Sequence, residues 1–129
     1  MSNNDKQKKI LIVDDEEDMR GILSDKLSTC GFSVLLAKDG EEGLKMALEN
    51  RPLIVLLDIA MPNMDGLQML EKLRHDEWGN NVPVILLTNI SDMHKIEEAQ
   101  KLGIQEYMLK AEWKMAQIVD RVKEIVSAK

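Results

Sequence analysis

Five polar residues whose types could do chemistry lie where short apolar runs of this chain end. Asp14 and Asp15 end the first run, Asp58 a second, and Thr88 and Lys110 two later ones. Carboxylates held a few ångströms apart repel one another unless a cation lies among them. Ligands that are all oxygen favour a hard divalent ion such as Mg²⁺, with Mn²⁺ as the alternative. The spacing therefore predicts a metal site.

The charges of these five residues would balance around such an ion. Mg²⁺ and Lys110 together neutralise the carboxylates, and Thr88 adds a hydrogen-bond donor. A neutral site can accept a phosphoryl group, which the carboxylates alone would repel, and a carboxylate is an established nucleophile in aspartyl-phosphate chemistry. The acids that follow, Glu16, Glu17 and Asp18, are interpreted as the solvated start of a helix.

Apolar runs alternate with segments of helical periodicity, which predicts the elements that hold this site. Strands are predicted at 10–13, 32–37, 53–57, 84–87 and 104–109. Apolar spacing predicts a helix after each strand, with stripes that include Met19 to Cys30, Leu44 to Leu48 and Met115 to Val126. This alternation predicts an α/β fold, a (βα)5 doubly wound parallel sheet with helices on both faces. Ligands bind beyond the carboxyl ends of such strands.

The composition indicates one small acidic domain. The chain has 129 residues and a formal net charge of −6, which fits a single domain at 1–129 with a polar tail at 1–8. The negative charge and few aromatic residues argue against direct nucleic-acid binding. A single cysteine, Cys30, excludes an internal disulfide. No apolar stretch predicts a signal peptide or a membrane span, so we expect a cytoplasmic protein with no membrane partner.

Four motifs occur in order at the ends of predicted strands. They are ILIVDD at 10–15, LLDIAMPNMDG at 56–66, LLT at 86–88 and YMLK at 107–110. Together they resemble the response-regulator receiver domain of two-component signalling, across essentially the whole chain. The resemblance implies a flavodoxin-like strand order, 2-1-3-4-5.

The same resemblance implies a role for each site residue. Asp58 would accept the phosphoryl group, and Thr88 and Lys110 would contact its oxygens. The implied metal ligands are Asp58 itself, Asp15 directly, Asp14 mainly through water, and the backbone carbonyl of Ala60. The donor would be a histidine kinase or a histidine phosphotransfer protein.

Switching and partner contacts are implied as well. Thr88 and Tyr107 would shift together, altering the surface of the fourth helix, fifth strand and fifth helix. That surface would serve an unknown output protein, and it is compatible with a homodimer formed on phosphorylation. Met19 and Ile22, on the first helix near the site, would form part of the docking face for the phosphodonor.

Four positions depart from the family pattern or tune it. Ala111 follows Lys110 where the family commonly has proline, and a cis bond before alanine costs about 3–4 kcal/mol, so we expect a trans bond or a rebuilt loop. Asn89 follows Thr88 where a small residue is usual. Ala60 and Ile90 take positions that tune hydrolysis, and neither side chain can orient a water, which predicts a long-lived phosphorylated state.

Three other functions are alternatives to that of a receiver domain. A haloacid-dehalogenase-like phosphatase needs a second aspartate two residues after the nucleophile, where this chain has Ala60. A flavodoxin-like electron carrier is disfavoured because the acidic loop after the first strand would repel the flavin phosphate. A phosphorylation-independent pseudo-receiver scaffold is disfavoured because every residue of the acceptor site is present.

Overall fold

Five strands alternate with five helices in the computed structural model, which describes residues 8–89 and 92–128. The strands are β1 (Lys9–Val13), β2 (Ser33–Ala37), β3 (Ile54–Leu57), β4 (Val84–Thr88) and β5 (Glu106–Leu109). The helices are α1 (Glu17–Thr29), α2 (Gly40–Asn50), α3 (Gly66–Arg74), α4 (Met93–Leu102) and α5 (Met115–Ser127). No helix in these ranges is long and apolar enough to cross a membrane.

The strands form one parallel sheet in the order β2-β1-β3-β4-β5. This order confirms the doubly wound α/β fold and the arrangement that the family resemblance implied. The chain runs outward from β1 to β2 and then returns to β3 on the other side of β1. The crevice beyond the carboxyl ends of β1 and β3 is therefore the expected ligand site of this topology.

The core consists of two apolar layers, one on each face of the sheet. Leu11 and Val13 point into the layer that α2, α3 and α4 cover, whereas Ile10 and Ile12 point into the layer covered by α1 and α5. This alternation explains why β1 is apolar throughout, since both of its faces are buried. A fully buried Leu, Ile or Val side chain contributes about 1.5–3 kcal/mol.

Aspartates begin three of the helices. Asp39 caps α2, and its side chain accepts a hydrogen bond from the Glu42 amide. Asp65 forms a reciprocal capping box with Gln68 at the start of α3, and Asp92 caps α4. Each carboxylate satisfies a backbone amide that has no partner within the helix.

Cys30 and Leu48 belong to predicted apolar stripes but are exposed, and one predicted strand boundary was wrong. Cys30 is exposed because it is the C-cap of α1, where the chain leaves the sheet. Leu48 is 39% exposed, since a step of one residue past buried Ala47 turns a side chain about 100° around the helix. The last strand begins at Glu106 instead of Ile104, because Gly103, at a φ of 96°, still belongs to the turn after α4.

Candidate functional site

Backbone hydrogen bonds continue one residue beyond three strands and hold three predicted site residues in place. The amide of Asp14 donates to the last residue of β2 and that of Asp58 to the last residue of β1, each at 3.0 Å. The amide of Lys110 donates to the carbonyl of Thr88 at 2.8 Å. The positions of these side chains therefore follow directly from the register of the sheet.

The Lys110 ammonium lies among three carboxylates. Its Nζ is 2.7 Å from Asp14 Oδ2, 3.0 Å from Asp58 Oδ2 and 2.6 Å from Glu16 Oε1. The side chains of Lys110, Asp14 and Asp58 are 5%, 3% and 6% exposed, whereas that of Glu16 is 54% exposed. Oxygens of the three acids lie within 4.8 Å of one another. Asp14, Asp58 and Lys110, far apart in sequence, thus form one cluster.

Burial and the crowding of charges shift the pKa values at this cluster. Burial raises the pKa of Asp14, helped by the charge of Asp58 and opposed by hydrogen bonds from Lys110 and the Glu16 amide. Burial by itself would lower the pKa of Lys110, but its bonds to Asp14 and Glu16 and the charge of Asp58 raise it overall. Lys110 therefore stays an ammonium at neutral pH.

Local backbone contacts orient the two buried carboxylates. The Glu16 amide donates to Asp14 Oδ1 at 2.9 Å, and the Ala60 amide approaches Asp58 Oδ1 at 3.4 Å. Arg20, one turn into α1, donates from Nη1 to the backbone carbonyl of Asp14 at 2.7 Å. These contacts leave the other oxygen of each carboxylate directed at Lys110.

The loop after Asp58 is held against α2 and α3. A Cβ at Gly66 would lie 2.1 Å from the Asp58 carbonyl oxygen, so only glycine allows α3 to begin this close to β3. The Asn63 side chain donates to Asp39 Oδ2 at 2.9 Å, and the Gly40 amide donates to the loop at 2.8 Å. Contacts from two helices thus fix the segment that carries Ala60.

The remaining site residues that the sequence predicted lie on the loops and strands around this cluster. Asp15 is exposed, and the group of carboxylates close enough to share a cation contains Asp14, Glu16 and Asp58 instead. Ala60 is exposed beside Asp58. Thr88 is fully buried at the end of β4. Tyr107 is half-buried on β5, where it pairs with Leu86 of β4.

The predicted docking residues, Met19 and Ile22, lie on α1. Met19 is half-buried, Ile22 is 46% exposed, and both line a surface pocket with Met115. No peptide bond in the described part of the chain is cis, which confirms the trans Lys110–Ala111 bond. Asn89 is exposed. Ile90 and residues 1–7 of the polar tail lie outside the described residues.

The contact between Glu16 and Lys110 was not predicted from the sequence. Glu16 is exposed at the start of α1, as expected, but its carboxylate also accepts a hydrogen bond from Lys110. Glu16 is the N-cap residue of α1, and within the described residues its side chain makes no capping hydrogen bond. The side chain is therefore available to reach across to β5. The signal was the run of acids at 14–16, which places a third carboxylate in one short loop.

The donor set of this cluster suits a hard cation. Its side-chain ligands are carboxylate oxygens, and three carboxylates beside one ammonium leave a net negative charge. Carboxylates with no soft ligand among them favour Mg²⁺ or a similar ion. The residues present therefore fit a divalent cation.

Comparison with known proteins connects this geometry to a family. The protein named probable transcriptional regulator ycf27 of Guillardia theta is 39% identical over 104 residues, covering 81% of this chain and 40% of the relative. The transcriptional regulatory protein PrrA of Mycobacterium bovis is 36% identical over 118 residues, covering 92% of this chain and 49% of the relative. This chain thus spans less than half the length of either curated relative.

A solved structure matches the fold over nearly its whole length. The chemotaxis protein CheY4 of Vibrio cholerae superimposes with a TM-score of 0.83 at 25% identity, covering 92% of this chain and 98% of that one. Residues 10–123 also match the family described as the response regulator receiver domain. That range includes all five strands from Ile10 onward and the whole cluster around Lys110. The chain belongs to the response regulator receiver domain family.

Proposed function

We propose that this chain is a phosphorylation-controlled switch in which Asp58 accepts a phosphoryl group from a histidine kinase or a histidine phosphotransfer protein. The observation that carries the proposal is the buried Asp58 carboxylate at the end of β3, 3.0 Å from the Lys110 ammonium. Membership of the receiver family supports it. We expect the protein to act in the cytoplasm as a signalling switch, with no metabolic substrate of its own.

The chemistry of transfer follows from the arrangement of charges. A carboxylate oxygen of Asp58 would attack the phosphorus of the donor phosphohistidine, and the P–O bond of an acyl phosphate would form as the P–N bond breaks. The leaving imidazole nitrogen keeps the electron pair of the broken bond. Lys110 and Thr88 would contact the phosphoryl oxygens, so that positive charge and a hydrogen bond meet the negative charge of the transferred group.

A divalent cation would complete the site. Asp14, Asp15, Asp58 and the carbonyl of Ala60 are the proposed ligands, with Mg²⁺ as the ion and Mn²⁺ as the alternative. When bound, the ion would offset the charge of the carboxylates and of the phosphoryl group. The exposed position of Asp15 leaves its carboxylate accessible to such an ion from the solvent side.

The switch would run through the end of β4. The carbonyl of buried Thr88 accepts from the Lys110 amide, so the last residue of β4 is linked to the residue that follows β5. A shift of Thr88 toward the phosphoryl group, with half-buried Tyr107 following it, would alter the α4–β5–α5 surface. That surface is the proposed contact for an output protein or for a second copy of the chain. We expect slow hydrolysis, since Ala60 and Ile90 cannot orient a water.

Acceptor identity is tested with acetyl phosphate and Mg²⁺, followed by intact mass. The wild type should gain one phosphoryl group, and Asp58→Asn should gain none, because an amide is a poor nucleophile. Asp25→Asn, which changes an exposed acid of α1, is the matched control and should label like the wild type. Labelling of Asp58→Asn at the wild-type rate would overturn the proposal.

The metal ligands are tested by a Mg²⁺ titration followed by tryptophan fluorescence. Asp15→Ala should weaken binding far more than Thr88→Ala does, because only the acid is a proposed ligand. Equal affinities in the two variants would contradict the ligand set.

Partner docking is tested by comparing two donors. Changing Met19 and Ile22 together to Glu should slow transfer from a phosphohistidine protein and leave transfer from acetyl phosphate unchanged. Leu48→Glu, at a partly exposed apolar residue of α2, is the control. If both donors slow equally, the docking face has been misassigned.

A further inference from the structure

We propose that Glu16 is a positioning residue that restrains the Lys110 ammonium before transfer and competes with the incoming phosphoryl group for it. This inference rests on the proposed function, because it concerns the reaction of the same site. Its basis is the contact of 2.6 Å between Lys110 Nζ and Glu16 Oε1, shorter than the contacts of Nζ with Asp14 and Asp58.

The number of donors on Lys110 makes this contact consequential. An ammonium group has three N–H donors, and the Lys110 group has three carboxylate partners at 2.6, 2.7 and 3.0 Å. A phosphoryl oxygen can therefore bond to Lys110 only when one of these partners gives up its place. The structure holds Lys110 in a state with its donors already occupied.

Burial determines which partner leaves at the lowest cost. The side chains of Asp14 and Asp58 are 3% and 6% exposed. As the donor approaches, before Asp58 becomes an acyl phosphate, both are carboxylates, and either would lose a compensating charge in a place that water scarcely reaches. Glu16 is 54% exposed, and water can solvate its carboxylate as soon as the contact breaks. Glu16 is therefore the partner that the phosphoryl group displaces.

Charge repulsion acts in the same direction as this exchange. A phosphoryl group on Asp58 brings its negative charge close to the Glu16 carboxylate, whose oxygen lies within 4.8 Å of an Asp58 oxygen. Glu16 thus stabilises the unphosphorylated arrangement and opposes the phosphorylated one. Removing the charge of Glu16 should favour phosphorylation in two ways, because it frees a donor of Lys110 and removes the repulsion of the phosphoryl group.

The experiment measures the initial rate of phosphorylation by acetyl phosphate at saturating Mg²⁺, so that changes in metal affinity do not enter. Glu16→Gln should react about two- to fivefold faster than the wild type, the range expected for loss of one partly exposed ion pair. Glu17→Gln removes the same charge from the next residue, which is exposed at the start of α1, and should react at the wild-type rate.

A second variant separates the contact from the charge. Glu16→Asp keeps the negative charge but is one methylene shorter, so it should weaken the contact with Lys110 and give an intermediate rate. Affinity for beryllofluoride, a phosphoryl mimic that needs no transfer step, should rise in the same order across the variants. A structural role alone would leave this ranking flat while lowering the free energy of unfolding.

The outcomes distinguish this inference from the proposed function. A wild-type chain that takes no phosphoryl group overturns the proposed function and the competition with it. A wild-type chain that is labelled while Glu16→Gln reacts at the same rate overturns only the role of Glu16. A slower Glu16→Gln would also overturn it, because Glu16 would then assist the reaction instead of opposing it.

Discussion

The two ends of the sheet each hold a basic side chain in a contrasting way. At the carboxyl end, Lys110 is surrounded by three carboxylates. At the amino end, Arg74 of α3 donates to four backbone carbonyls at 2.6 to 3.0 Å. These carbonyls belong to Gly79, Val82, Leu102 and Gly103. One cation thus meets formal charges and the other meets fixed dipoles.

This difference distinguishes a cluster whose groups can exchange ligands from a set of contacts that only links elements of the fold. Carboxylates can take up protons, metal ions or a phosphoryl group, and Lys110 can exchange partners among them as a compact charge on a flexible stem. Backbone carbonyls do not take up protons or a phosphoryl group in this way. The planar guanidinium of Arg74 has several donors and can bond to several carbonyls at once. Arg74 thereby ties the end of α3 to the entry into β4 and the end of α4. Burial lowers the pKa of Arg74, but the group remains charged.

The largest effect on stability is expected at the amino end. Arg74→Ala removes four hydrogen bonds from a charged donor, and we expect the free energy of unfolding to fall by about 2–4 kcal/mol. Arg74→Lys should recover less than half of the loss, because an ammonium cannot form the same fork. Urea denaturation measures both values. If Arg74→Lys is as stable as the wild type, the forked geometry is irrelevant and the contrast with Lys110 fails.

A smaller effect of opposite sign is expected at the carboxyl end. Because burial raises the pKa of Asp14, the folded protein disfavours its charged form, and Asp14→Asn should increase the free energy of unfolding at neutral pH without metal. The same substitution should reduce the stabilisation that Mg²⁺ gives by mass action. Thermal unfolding with and without Mg²⁺ tests both effects. A destabilised Asp14→Asn would show that the pair with Lys110 outweighs the burial of charge.

The smallest effect on stability is expected at Asp39, whose carboxylate accepts hydrogen bonds from uncharged donors. Bonds from the Glu42 amide and the Asn63 side chain lower the pKa of Asp39 below its ordinary 3.8. Its stabilising contribution is therefore complete above that ordinary value and is lost as the pH falls through the lowered pKa. Asp39→Asn should slightly lower the free energy of unfolding at pH 7, because these bonds favour the charged form that the amide lacks, and the gap to the wild type should close in acid, at a pH below the lowered pKa. Urea denaturation at the two pH values measures the gap, and a gap that widens in acid would contradict this account.

Sequence reasoning predicted the parts of the site that lie one residue beyond a strand. Each apolar run is long enough to be read as a buried strand, and parallel strands bring their carboxyl ends to one edge, so the proximity of Asp14, Asp58 and Lys110 followed. Glu16 was missed because its contact with Lys110 spans 94 residues of sequence and depends on the direction of a side chain at a helix N-cap. Local periodicity carries no information about such a direction.

Arg74 was missed for a related reason. In the sequence it is one basic residue near the end of an amphipathic helix, which is typical of a solvated side chain. Its partners lie in the loop after α3 and at the end of α4, up to 29 residues away. Their carbonyls converge on one point only after α3 and α4 have packed side by side on the sheet.

By itself, the sequence determined the class of the fold and the types of side chain at the carboxyl edge of the sheet, because hydrophobic periodicity and residue identity are local properties. The tertiary structure decided which charges touch. It made Glu16 the third partner of Lys110 and left Asp15 exposed, and it converted Arg74 from a surface cation into a link between elements. The physical reason is that an ion pair or a buried hydrogen bond depends on distance and solvent exposure, and both arise only when distant segments pack together.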